Sequence, residues 1–337
     1  MTNRNLNCPN KPFLLQPAGK DYLWGGRRLK QDFGKELSLE PLAETWECSA
    51  HPDGPSIVAS GTQKGKSLRN LLKEHPEYLG THPRMGQETA GELPILIKLI
   101  DAREDLSVQV HPDDDYAREH ENGSLGKTEM WYVLDASEDT TLVYGFLHDM
   151  SREVLRESLK QGTIEKYLQK VKIKKDDVFY IEAGTVHAIG AGALIAEIQE
   201  NSNLTYRMYD YDRRDKDGSP RALHVEKALQ AVNLKGSAEP RQPMRILKYQ
   251  PGCAMEFLCR CKYFQVERVL LNTKEGQKIP FRTGENSFQV LLCIEGSGKL
   301  EETEGAINFK RGDCIFIPAD SVPLMLEGRA QLLRVCA

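Results

Sequence analysis

Two histidines and a glutamate stand out for the runs that carry them: Ser107-Val108-Gln109-Val110-His111-Pro112, Lys127-Thr128-Glu129-Met130-Trp131 and Gly184-Thr185-Val186-His187-Ala188. Each run can place one metal ligand in a strand context. Two neutral imidazoles, His111 and His187, and one carboxylate, Glu129, suit a borderline-soft divalent ion and leave a position open for water or substrate. An open position is what a catalytic metal needs. Gln109 lies two residues before His111, so on a strand both side chains project to one face and can reach one ion. Imidazole nitrogen and carboxylate oxygen without thiolate suit Zn²⁺ but also Fe²⁺, Mn²⁺ or Co²⁺, and two histidines with one carboxylate also hold Fe²⁺ in non-haem oxygenases.

The elements that must position these groups are mostly short strands between Gly, Pro and Asp turns. Ile95–Ile100, Trp131–Leu134, Thr141–Tyr144 and Val178–Ile181 are examples. Many short strands predict a sandwich or barrel. Three helical patches interrupt them. Ser67 can cap one carrying Leu68, Leu71 and Leu72, stopped by Pro76. Ser151 can cap a second with Val154, Leu155 and Leu159. Gly162 ends it, and Thr163 can start a third with Ile164, Tyr167 and Leu168. The run Asp177–His187 also lines up with Asp313–Pro323: Asp177 with Asp313, Ile181 with Ile317, Ala183 with Ala319, Val186 with Val322. His187 falls opposite Pro323, so a duplicated domain would bind metal in its first copy only. The stretch from Val232 to Pro243 has linker composition.

The chain has 337 residues, enough for two domains, with 45 basic against 49 acidic side chains and a formal charge of -4. That balance, without a long Lys/Arg run, argues against a nucleic-acid surface. No stretch has the apolar length of a membrane span, and the N-terminal residues lack the apolar core of a signal peptide. The eight cysteines form no C-x-x-C pair. They read as free thiols in a reducing cytoplasm.

The run Asp176–His187 resembles the second motif of the cupin superfamily, with Asp176 where Gly is common and Glu182 where Pro is common. Leu106-Ser-Val-Gln-Val-His-Pro-Asp113, Lys127-Thr-Glu-Met-Trp-Tyr-Val133 and Gly184-Thr-Val-His-Ala-Ile-Gly190 resemble type I mannose-6-phosphate isomerase in its short bacterial form. Leu23–Arg27, Glu44–Pro52 and Asn203–Asp210 support the likeness, which is clear from about residue 23 to 210. The resemblance implies an all-β-dominated fold: two cupin-type jelly-roll barrels with a few short helices and no room for the large helical insertion of longer members. The expected domains are 1–240, catalytic, and 241–337, cupin-like without metal ligands. The implied ligands are His111, Glu129, His187 and Gln109, around one expected Zn²⁺ per chain. The remaining histidines, His51, His75, His82, His120, His148 and His224, read as surface or structural.

The family reaction interconverts mannose 6-phosphate and fructose 6-phosphate. It needs a base to take a proton beside a carbonyl, a stabiliser for the enediolate oxygen and cations for the phosphate. The resemblance assigns Arg207 to the active site, where a guanidinium stabilises charge and cannot be a base. Lys127 shares a face with Glu129. Lys98 interrupts an apolar strand and would point into the barrel mouth. Ser107 shares a face with Gln109 and could donate to phosphate. Trp24 and Trp46 could wall the pocket. A metal-bound water, Lys127 or Glu197 could each be the base. The expected partner is thus a small sugar phosphate, with no nucleic acid and no membrane, and the protein a monomer or homodimer. An Fe²⁺ cupin dioxygenase, a non-catalytic sugar-binding bicupin and a neighbouring sugar isomerase are the rival readings. The dioxygenase would need an apolar pocket.

Overall fold

In the computed structural model, which describes residues 10–83, 92–215, 217–243 and 245–337, strands dominate and no α-helix exceeds the nine residues of Arg152–Lys160. No helix among the described residues is long and apolar enough to cross a membrane. The strands form three antiparallel sheets. The six-stranded one runs Val178–Ile181, Glu129–Ala136, Ala193–Glu200, Ile95–Asp101, Glu44–Cys48, Ala18–Lys20. The five-stranded one runs Tyr206–Tyr209, Val108–Val110, His187–Ile189, Thr141–Phe146, Leu168–Lys172.

These two sheets sandwich one core. Trp131, Val133, Phe179 and Ile195 from the first meet Leu142, Val171 and Ile189 from the second, with Trp24 and Ile100 alongside. The five-stranded sheet is buried on both faces. Val108, Val110, Ala188, Tyr206 and Met208 turn outward and pack with Leu155, Ala228 and Leu229 of the helices Arg152–Lys160 and Val225–Ala231. Strand alternation then sends Gln109 and Arg207 to the inner face.

The expected cap at Ser67 forms, its hydroxyl accepting from Asn70 N at 3.2 Å, and the helix Leu68–Glu74 buries Leu68, Leu71 and Leu72. Ser67→Ala removes that acceptor. It is expected to lower unfolding free energy by about 1 kcal/mol while leaving kcat unchanged, which a denaturant midpoint beside an activity assay would test. Ser151 likewise accepts from Val154 N. The third expected helix does not form. After Gly162, held at φ +66°, only a 3₁₀ turn Ile164–Lys166 follows, and Leu168–Lys172 pairs with Thr141–Phe146 as a strand. Leu168 and Val171 are buried in that strand, so sheet pairing overrides the helical spacing.

The two halves of the internal repeat make the same turn. Asp177 accepts from Lys174 N at 3.0 Å and Asp313 from Lys310 N at 2.8 Å, and each opens a strand, Val178–Ile181 or Cys314–Ile317. The preceding residues, Asp176 and Gly312, have φ +74° and +95°. Glycine is favoured at such a position because an L side chain resists positive φ, and aspartate is among the residues that tolerate it.

By packing, the chain divides into two units, each described where the structure covers it: Gly19–Thr45 with Ile97–Pro243, and Met1–Ala18 with Trp46–Leu96 and Met244–Ala337. The sequential division at residue 240 expected from sequence differs from this interleaved one. The N-terminal strand Phe13–Gln16 hydrogen-bonds to Cys314–Ile317, three hundred positions away, and joins the ten-stranded sheet of the second unit. That unit's core is Val269, Leu291, Ile315, Leu332 and neighbours. The stretch with linker composition is tied down instead of loose, with Ser237 N donating to Phe146 O and Gln242 N to Val178 O. The seven cysteines within the described residues are free thiols, and Cys8 lies outside them.

Candidate metal centre and cavity

Both sheets of the sandwich deliver side chains to one point. Glu129 opens a strand between Ile181 and Gln199 of its neighbours, and across the core His187 pairs with Gln109 in register. His111 follows directly after the strand Val108–Val110. The two Nε2 atoms lie 3.1 Å apart. Glu129 Oε2 is 3.5 Å from His111 Nε2, and Oε1 is 3.5 Å from His187 Nε2. A tetrahedral site with bonds of about 2.0–2.1 Å puts its ligand atoms roughly 3.3 Å apart. All three residues are fully buried, and together they form a cluster that could hold a metal ion.

The electrostatics fit a cation too. Burial, then Lys127, depresses His111 to about 3, and burial lowers His187. Both imidazoles are therefore neutral and have lone pairs to give. Burial opposes ionisation of Glu129, but the charge of Lys127, the largest opposing influence, holds its carboxyl well below the usual range. Its Oε1 nevertheless accepts no hydrogen bond, its Oε2 has the ion pair with Lys127, and His111 Nδ1 has no hydrogen-bond partner. Orphaned buried acceptors are costly unless something compensates them. His187 Nδ1 lies 2.8 Å from Thr185 O, which fixes the tautomer that aims Nε2 inward. The Gln109 amide nitrogen is 3.3 Å from His187 Nε2; a half-turn of that amide would present oxygen instead.

Cations and carboxylates alternate outward from the cluster. Lys127 Nζ sits 2.6 Å from Glu129 Oε2, 3.0 Å from His111 Nε2 and 3.7 Å from Glu197 Oε1. Glu197 accepts from Trp131 Nε1 at 3.1 Å and from Lys98 Nζ at 3.0 Å. Lys98 Nζ is also 4.0 Å from Glu44. Burial would discharge Lys98, but Glu197 and Glu44 more than offset it and raise its pKa. Lys98 lies on a central strand, its neighbours being Glu44–Cys48 and Ala193–Glu200. Behind this row, Glu200 Oε1 accepts from Thr128 N at 2.7 Å, and burial followed by Asp114 pushes its carboxyl up to about 8.

A cavity of about 280 Å³ opens onto this row. Lys98, Ser107, Gln109, Lys127 and Arg207 all line it, as do Trp24, Glu44 and Glu197. Trp46 is not among its walls and packs against His51, ring centroids 5.6 Å apart. Ser107 Oγ is turned to Gln109 Oε1 at 3.4 Å. Arg207 pairs with Gln109 in the sheet, and its Nη1 donates to Ala222 O at 2.8 Å. Asp210, the carboxylate nearest it in sequence, is held by Arg213 and Arg221. The walls also hold Glu44, Asn203, Thr205 and Arg221, to which sequence reasoning gave no role. The first three lie in stretches already noted for their motif likeness. Arg221 follows an irregular loop, with no periodicity to mark it.

Residues 13–144 match the family described as phosphomannose isomerase type I, catalytic domain, and residues 254–337 match the mannose-6-phosphate isomerase cupin domain. The chain is 43% identical over 326 residues to the mannose-6-phosphate isomerase of Streptococcus mutans, covering 96% of this chain and 97% of that protein. It is 36% identical over 323 residues to mannose-6-phosphate isomerase ManA of Bacillus subtilis, covering 96% and 98%. The crystal structure of the mannose 6-phosphate isomerase from Bacillus subtilis superposes with a TM-score of 0.87 at 37% identity, over 96% of this chain and 99% of that one.

Proposed function

Because the chain belongs to the type I phosphomannose isomerase family, we propose that it interconverts mannose 6-phosphate and fructose 6-phosphate in the cytoplasm, by proton transfer through an enediolate. The observation that carries the reading is the convergence of His111, Glu129 and His187 behind the wall residues Lys127 and Gln109 of a cavity that Lys98, Arg207 and Glu197 also line. We assign the metal to those three ligands with Gln109, and propose Zn²⁺ among the divalent ions that two imidazole nitrogens with carboxylate and amide oxygens accept. A divalent ion there would act as a Lewis acid toward the sugar oxygens beside the reacting carbon. Catalysis belongs to the unit 19–45 with 97–243, which holds every one of these residues. In the other unit the repeat has Pro323 where His187 stands.

The chain's own residues divide the remaining work. Lys127 is an ammonium pressed on Glu129, so it can donate to a sugar oxygen but has no lone pair to accept a proton. Glu197 is a carboxylate in the cavity wall, held by Trp131 and Lys98, and we assign it as the base that carries the proton between the two carbons. Arg207 supplies positive charge to the substrate. The polar, charged walls do not suit the apolar substrate that a cupin dioxygenase would take.

The test is a coupled assay on mannose 6-phosphate. Activity is expected to disappear on chelation and return with stoichiometric Zn²⁺. Turnover that survives complete removal of metal would end this reading.

A further inference from the structure

Charge is shared out differently in the two parts of the cavity wall. Beside the metal cluster, Lys98 and Lys127 are matched by Glu44, Glu129 and Glu197. At the strand Tyr206–Tyr209, two guanidiniums, Arg213 and Arg221, share the one buried carboxylate of Asp210, and the charge of a third, Arg207, is felt beside them. Arg221 Nη1 lies 3.3 and 3.2 Å from the two oxygens of Asp210, and Arg213 also pairs with Asp210. The half-exposed Asp215 is a more distant partner, 3.7 Å from Arg221 Nε. Arg207 and Arg221 line the cavity. The buried Nε of Arg207 donates to nothing.

The two arginines are locked into one unit. Arg207 Nη1 donates to Ala222 O, the residue after Arg221. The backbones are clasped as well, with His224 N donating to Arg207 O at 2.7 Å and Arg207 N to His224 Nδ1 at 3.3 Å. Asp210 anchors Arg221 and so fixes its fork at the cavity wall. Burial, then the charge of Arg221, lowers the Arg207 pKa, and the nearby carboxylates Asp210 and Asp215 offset this only in part. A buried N–H without an acceptor is costly, and a multi-oxygen anion would relieve both that cost and the repulsion. Paired guanidinium forks match a phosphate dianion better than a point charge does.

We infer that Arg207 and Arg221 together form the phosphate subsite, and that Arg221 is the residue that makes the enzyme prefer phosphorylated sugars. The inference rests on the isomerase reading for its substrate. Its geometry stands on the arginine pair alone.

The experiment titrates inorganic phosphate onto the full-length, metal-loaded protein by calorimetry and measures kinetics on mannose 6-phosphate. Arg221→Gln is expected to weaken phosphate binding about tenfold or more and to raise KM by a similar factor. Its kcat should stay within about threefold of wild type and its metal content full. Arg221→Lys should lose most of the same affinity, since an ammonium lacks the fork. Wild-type phosphate affinity and KM in Arg221→Gln would overturn the subsite. Should that variant fail to fold, Arg221→Lys decides in the same way. A wild-type protein inactive on mannose 6-phosphate would overturn the isomerase reading, while the phosphate titration would still decide the arginine pair.

Discussion

His187→Ala is expected to purify without its divalent ion and without measurable isomerase activity. The imidazole is one of three groups whose donor atoms lie 3.1–3.5 Å apart, and it is the one held from behind, by Thr185 O. Loss of a mere outer-shell partner weakens a metal site by about 10–100-fold. Loss of a direct ligand should exceed that, to roughly 10³-fold or more in affinity and in kcat/KM together. The remaining Glu129, His111 and Gln109 would leave the carboxylate balanced chiefly by Lys127, 2.6 Å away, so the fold should survive. Elemental analysis beside the coupled assay is the check. Zinc retained at one per chain in this variant would remove His187 from the ligand set, whatever the activity.

This centre was legible chiefly through three motifs that resemble one family's metal site, and strand spacing added only that Gln109 shares a face with His111. Gln109 and His111 share a face by spacing, and Val108 and Val110, between and beside them, pack with the covering helices on the other side. Glu129 and His187 were readable only through that resemblance, since Glu129 alone would read as a solvated charge and a lone His as structural. The capped helix at Ser67 was readable because its signals are local. Where local signals compete with distant partners, the sequence misleads. Leu168 has helical spacing from Ile164, yet the strand Thr141–Phe146 claims it. The interleaving of the two units depends on Phe13–Gln16 finding Cys314–Ile317, a pairing that no window of sequence contains. Arg221 was invisible for a related reason. It reaches the cavity only because Asp210 and the backbone of Arg207 fix the loop that carries it. Glu44 was hidden inside a stretch whose likeness was noted but whose partner, Lys98, lies far along the chain.

Arg207→Ala should separate substrate binding from metal binding. Nothing on Arg207 touches the cluster: its guanidinium donates to Ala222 O, while its strand neighbour Gln109 is the residue that reaches His187. Metal content is therefore expected to be unchanged. Truncating one partner of a buried charged hydrogen bond costs about 2–5 kcal/mol, so kcat/KM on mannose 6-phosphate should fall by about 10²-fold or more. Stability gives a second, independent sign. In the free protein Arg207 is a half-buried cation with an unsatisfied Nε, pressed by the charge of Arg221. Deleting it removes that repulsion along with one hydrogen bond, so the free enzyme should melt at the wild-type temperature or above it. The wild type should gain stability when phosphate is added, and the variant should gain far less. A group retained for packing would show the reverse, a lower melting temperature with intact kcat/KM. That outcome would take Arg207 out of the substrate site and leave the cavity without its least compensated cation.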